Sequence, residues 1–208
     1  MSASYKTVRS ESHDEFVEKH SRFIGYCKPV KSEAEAVEFI NTIKKKHWDA
    51  RHNCYAYTLR EGQIKRYSDD GEPSGTAGMP ILDVINRNDI VDAVVVVTRY
   101  FGGILLGTGG LVRAYSQGCK IALEASGIVE MSLCAECLIR CSYTRYGKLN
   151  TLIIESGGIV DDVEYSDDVL ISFHIPSESV SALDKLLADA TSGELQTEVL
   201  SEKYFEMS

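Results

Sequence analysis

The chain has 208 residues, 44% hydrophobic and 25% charged, a balance that suits one large or two small globular domains and excludes a low-complexity protein. No stretch approaches the roughly 18 apolar residues of a membrane span, and Met1-Ser2-Ala3-Ser4-Tyr5-Lys6 has no apolar signal core, so a cytoplasmic protein without membrane contact is expected. The net charge of −9 is one-sided: residues 131–208 hold 14 Asp/Glu against 5 Lys/Arg, leaving 17 of each in residues 1–130, so the second half has the wrong sign for a polyanion and any such site must rest on local clusters in the neutral first half.

In chain order, Arg22 to Cys27 reads as a strand. A helix follows, because Ser32 and Glu35 form a capping box and Ala36, Ile40, Ile43 and His47 recur at helical spacing. Asn53 to Leu59 returns as a strand. Ser68 to Gly78 is a turn-rich loop, and a short helix from Met79 to Asn86 leaves it. Asp92 to Tyr100 is apolar and β-branched, as a strand buried on both faces would be. It enters the glycine-rich Gly102–Gly110 loop and a helix from Leu111 to Ala125, closed by Gly127.

Beyond Leu133 the pattern changes. A strand (Cys137 to Tyr143), a helix (Tyr146 to Ser156), two strands (Ile159 to Tyr165 and Val169 to Ile175), a helix (Val180 to Ala190) and a last strand (Gln196 to Leu200) give the order βαββαβ of a ferredoxin-like, split βαβ domain. The expected fold class is therefore α+β, with domains at 1–131 and 132–208.

Several segments carry chemistry. A strand that runs through glycines into a helix offers free amides and a positive helix end to an anion. Val112 stands where a dinucleotide fingerprint needs its last glycine, and Thr108 where a phosphate loop needs lysine, so neither motif is present. Tight strand-to-helix packing explains the same glycines equally well. Arg99 and Tyr100 flank the loop, Arg51-His52 precedes another strand, and Arg113, Gln117 and Lys120 share a helix face. The nucleic-acid or phosphate site expected from these is Arg51, His52, Arg99, Tyr100, Gly102, Gly103, Thr108, Gly109, Gly110 and Arg113. Guanidinium groups would hold phosphates and an aromatic ring would stack a base. The competing expectation pairs Arg99 with Asp69, Asp70 or Glu72 and leaves Arg113 and Lys120 as a solvated helix face.

Asp69-Asp70-Gly71-Glu72 reads three ways: a cation site, an acid/base pair, or a shaped turn. The six cysteines suggest free thiols. On a strand, Cys137 and Cys141 share one face and Cys134 takes the other, so the three cannot converge on zinc. No metal and no cofactor is expected, and catalytic residues are not assigned.

Ser21-Arg22-Phe23-Ile24, Ala50-Arg51-His52-Asn53-Cys54, Ser68 to Gly78 and Val95 to Tyr115 together resemble the signature of the IMPACT/YigZ family, in its bacterial YigZ-type form. The resemblance implies a first domain like domain 2 of ribosomal protein S5, and a ferredoxin-like second domain similar to one in elongation factor G. Both of those work on RNA or the ribosome. It implies a non-enzymatic nucleic-acid- or ribosome-binding protein of translation regulation. The alternatives are a metal- or phosphate-dependent hydrolase or transferase built on the Asp69–Glu72 loop, and a protein-interaction module whose acidic second domain meets a basic partner.

Overall fold

Ala93, Val94, Val95, Val96 and Val97 are all sealed from water. Neighbouring strand residues point to opposite faces, so a run of this kind needs cover above and below. The computed structural model describes residues 4–207 and supplies that cover. Its strands are β1 (Ser4–Val8), β2 (Ser12–Glu18), β3 (Ser21–Pro29), β4 (His52–Leu59), β5 (Ile64–Ser68), β6 (Ala93–Tyr100), β7 (Ile128–Cys141), β8 (Ile159–Tyr165), β9 (Val169–Pro176) and β10 (Glu198–Glu206). Its helices are α1 (Glu33–Lys46), α2 (Gly78–Arg87), α3 (Thr108–Ser126), α4 (Tyr143–Glu155) and α5 (Val180–Thr191). The architecture is mixed α+β, and the chain divides into a unit of Tyr5–Glu130 and a second that joins Ser4 to the residues from Met131 on.

In the first unit an antiparallel sheet runs β2-β3-β6-β4-β5. On one face Phe23, Cys27, Cys54, Ala56, Val95 and Val97 meet Ile81 and Ile85 of α2 and Leu111, Tyr115 and Cys119 of α3. On the other, Ile24, Tyr26, Tyr57, Val94 and Val96 meet Ala36, Phe39, Ile40 and Ile43 of α1. Each fully buried aliphatic chain contributes about 1.5–3 kcal/mol. Helix α1 starts where the capping box says it should: the Ser32 hydroxyl accepts from the Glu35 amide, and the Glu35 carboxylate accepts from the Lys31 amide. Helix α3 lies close on the sheet because it crosses β3 at glycine. A Cβ on Gly25 would sit 2.1 Å from the Gly118 carbonyl oxygen.

The second unit has the order β7-α4-β8-β9-α5-β10. Its sheet places β7 between β10 and β9, with β8 beyond β9, all antiparallel. One face, Ala135, Cys137, Ile139, Cys141, Ile171, Phe173 and Ile175, is closed by Leu149 and Ile153 of α4 and Leu183 and Leu187 of α5. The other carries Glu136, Leu138, Arg140, Leu170, Ser172 and His174. There His174 holds Asp161 at 2.8 Å and stacks on Phe205.

Several boundaries differ from expectation, each for a local reason. Strands β2 and β5 are the sheet's edges, and their polar residues keep the apolar signal weak. Helix α3 begins at Thr108 rather than Leu111, with Gly109 and Gly110 in its first turn despite their poor helix propensity. Strand β7 starts at Ile128 instead of Cys137, and Tyr143 opens α4 instead of ending a strand. Strand β10 is shifted to Glu198–Glu206 and bulges between Val199 and Ser201.

Gly25→Ala is expected to cost about 1–3 kcal/mol, as overpacking against rigid backbone does. A lower urea midpoint at unchanged slope would show it; an unshifted midpoint would mean that α3 does not approach β3 this closely.

Candidate functional site

Antiparallel pairing of β4 with β6 sets His52 opposite Arg99. The Arg99 side chain runs inward, where its Nη1 donates to Glu72 Oε1 at 2.7 Å, and the Tyr115 hydroxyl of α3 donates to the same oxygen at 2.8 Å. Both members of the ion pair are almost wholly buried. His52 Nε2 lies 4.0 Å from that carboxylate, while its Nδ1 is 2.9 Å from the Asp70 carbonyl, a contact that assigns the proton to Nδ1. The guanidinium also lies over the rings of Phe23 and Phe101. Burial, above all, drives the Tyr115 phenol far up, with Cys54 and Glu72 adding to it. Burial likewise raises the Cys54 thiol, and Glu72, Asp70 and Asp69 raise it further. A thiol so disposed stays protonated and is a poor nucleophile.

The acidic loop is also bound up internally. Asp69 accepts amide hydrogens from Gly75, Ala77 and Gly78 at 2.8–3.0 Å, and so serves as a remote cap for α2, whose own N-cap, Ala77, has no side-chain acceptor. Asp70 takes Lys44 Nζ at 2.6 Å on one oxygen and the Asn53 amide at 2.8 Å on the other. The three carboxylates thus face three different sets of partners. Among the described residues no group of three or more His, Cys, Asp or Glu is arranged to hold a metal. Of the three readings of this loop, the shaped turn accounts for the geometry.

The expected anion site separates into three places. Arg99 and His52 join the buried cluster with Glu72. Tyr100, next along β6, faces the opposite side, where its hydroxyl donates to Asp49 at 3.0 Å and accepts from His47 Nδ1 at 2.8 Å. With that proton on Nδ1, His47 Nε2 accepts from the Tyr26 hydroxyl at 2.6 Å. Burial, then Lys46, hold the His47 imidazole below its usual range. Arg51, one residue before β4, is exposed.

The third place is the glycine loop and the start of α3. Gly102 is closed: its amide donates to Ser21 Oγ at 3.2 Å, and a Cβ there would sit 2.0 Å from the His20 carbonyl carbon. Gly103, Thr108 and Gly109 are exposed, but the loop between them presents Ile104 and Leu105 to water. The bend is therefore not ringed by guanidinium groups, because the Arg99 charge is spent on Glu72. Gly110 and Arg113 instead line a cleft of about 750 Å³ along α3, with Lys19, Arg87 and Lys120, over a floor that includes Phe16 and Leu106. Glu18 and Glu124 are also on its wall. Lys19 and Arg87 were not legible as partners of Arg113, since nothing in their local sequence links them to α3.

A family profile described as the Impact N-terminal domain matches residues 19–123, and one described as "Domain of unknown function (DUF1949)" matches residues 139–194. The chain is 41% identical over 191 residues to the IMPACT family member YvyE of Bacillus subtilis (strain 168), covering 91% of this chain and 88% of that protein. It is 34% identical over 187 residues to the IMPACT family member YigZ of Escherichia coli (strain K12), covering 88% and 92%. A solved structure titled "Crystal structure of an hypothetical protein" superposes with a TM-score of 0.61 at 32% identity, covering 98% of this chain and all of that one.

Two outcomes follow from the geometry. Glu72→Gln leaves a buried guanidinium without its counter-charge and is expected to cost about 3–5 kcal/mol, whereas Glu72→Leu combined with Arg99→Met and Tyr115→Phe, which strands neither the charge nor the hydroxyl, recovers most of that loss. Denaturant titration of the three proteins measures both. For His47, the native pKa lies below the ordinary 6.5. The unfolded chain then binds a proton there that the native state does not, so stability falls as pH drops through about 6.5 toward the lower native value and is level above it. Urea midpoints between about pH 7.5 and 5.5 should fall less steeply for His47→Gln than for the unaltered chain; equal slopes would contradict the proposed neutral imidazole.

Proposed function

We propose a function on one premise: this chain belongs to the IMPACT family. The protein is a non-enzymatic binder of nucleic acid within the translation machinery, acting in the cytoplasm to regulate translation. Its phosphate contacts lie in the α3 cleft, at Gly110 and Arg113 with Lys19, Arg87 and Lys120. The observation that carries this reading is how the charges are shared out. Asp69, Asp70, Glu72 and Arg99 are consumed by internal partners, while Arg113 is exposed and shares one cleft with Lys19, Arg87 and Lys120, the last of them 3.8 Å from Glu124. Four cations in a groove raise the local concentration of a polyanion, with two carboxylates on the wall restricting where it sits.

Finer fold likenesses go with this reading: an S5 domain-2-like first unit and a ferredoxin-like second unit. For the second, support comes from its βαββαβ order and the placing of its first strand, β7, between its last and its third. The acidic second unit repels phosphate and is the part suited to a basic protein partner.

Binding of an unstructured RNA is expected to weaken steeply with salt, with a logarithmic slope of about −0.7 per phosphate contacted. Arg113→Ala should make that slope shallower by about one contact and Lys120→Ala by less, since both side chains are exposed and removable without disturbing the core but Lys120 is shared with Glu124. Affinity that stays flat from low to physiological salt, or no binding, would end this reading.

A further inference from the structure

Trp48 is 83% exposed, an unusual position for the largest apolar side chain, and it is not on a loose segment. It follows α1 in a tight turn closed by the Ala50 amide on the His47 carbonyl at 3.0 Å. On one side of it, His47 is buried and wedged between the hydroxyls of Tyr26 and Tyr100. On the other, Asp49 accepts from Tyr100. The turn is therefore pinned to β3 and β6 by side-chain hydrogen bonds, and the indole stands out from a fixed support.

The charge around it is mostly of one sign. Lys45, Lys46 and Arg51 are all exposed within seven residues of chain. Lys46 Nζ sits 4.8 Å from the Tyr26 ring, against which His13 also stacks. Of the nearby carboxylates, Asp70 is paired with Lys44 and Glu15 with Arg22, while Asp49 accepts from Tyr100 and keeps its charge and Glu38 lines a groove with Lys45. Lysines in a last helical turn also complement the helix dipole, and Lys44 is held by Asp70 and the Tyr55 ring. That role gives no reason for an exposed indole beside them.

We propose that this end of α1 is a stacking platform for single-stranded nucleic acid, on which Trp48 takes an unpaired base while Lys45, Lys46 and Arg51 take the flanking phosphates. The inference rests on the nucleic-acid reading above but uses a different surface, since α1 and α3 cover opposite faces of the sheet. Exposed aromatic rings among cations bind single strands with little sequence preference, because every base offers a π-face. Duplex DNA keeps its bases stacked within itself and is the weaker ligand. A protein partner could also anchor on a tryptophan. Lys45, Lys46 and Arg51 outnumber the unpaired carboxylates Asp49 and Glu38, a balance that favours a polyanion.

Trp48 is the chain's single tryptophan, so intrinsic emission reports this site alone. A fluorescein-labelled oligo-uridine is titrated in, with anisotropy read for binding and tryptophan emission for stacking, and polyphosphate serves as a polyanion without bases. The oligonucleotide should quench the emission and polyphosphate should not. Trp48→Ala, which removes an exposed side chain and should fold normally by circular dichroism, should weaken oligo-uridine about tenfold and leave polyphosphate unchanged, with Trp48→Phe recovering part of the loss. Oligo-uridine that binds without quenching, and equally well to Trp48→Ala, would overturn the platform while sparing the cleft reading. No oligonucleotide binding at all would remove both and leave Trp48 to a protein partner.

Discussion

One carboxylate oxygen, Glu72 Oε1, receives a hydrogen bond from Arg99 on the central strand and another from Tyr115 on the longest helix. That oxygen links three parts of the first unit, β6, the Ser68–Gly78 loop and α3, in a place from which water is excluded. A buried ion pair of this kind adds little net stability over a well-packed apolar alternative, but losing either partner strands a charge. Its effect is to fix the loop's position relative to the sheet. With the loop fixed, Asp69 can reach the Ala77 and Gly78 amides at the start of α2 and the Gly75 amide before it, and Asp70 can tie α1 to β4 through Lys44 and the Asn53 amide.

The same pairing decides which groups are left for outside partners. Arg99 is lost to any external phosphate, and His52 is held between the Asp70 carbonyl and Glu72. Two groups of exposed cations are then of interest, Arg113 with Lys19, Arg87 and Lys120 beside α3, and Lys45 and Lys46 at the end of α1 with Arg51 a few residues on. The glycine loop between β6 and α3 takes part as a spacer more than as a cradle. Gly102 lets the chain pass against His20, and Ile104 and Leu105 occupy the outer surface.

The second unit follows a different plan. One sheet face is closed by two helices around Phe173, Ile171 and Leu187. The other presents Glu136, Arg140 and Ser172, and pairs His174 with Asp161. Cys137 and Cys141 are core side chains beneath the helices, while Cys134 lies against Met207. Small, weakly polar thiols fill such positions much as alanine or valine would.

Sequence alone determined the periodic elements and the family. Helical spacing after Ser32, the five-residue apolar run of β6 and the strand–helix order after Met131 follow from local patterns of burial, which repeat at 3.6 or 2 residues regardless of what packs against them. The signature blocks are long enough to identify relatives without any geometry. Edge strands β2 and β5 escaped because an edge needs no apolar alternation. Which charges face water was a tertiary decision. Arg99 and Tyr100 are adjacent in the chain yet project from opposite faces of a strand, and Glu72 is 27 residues from the guanidinium it neutralises. Electrostatic pairing acts across space at a few ångströms, so whether an arginine is a phosphate ligand or an internal strut depends on which carboxylate the folded backbone brings to it.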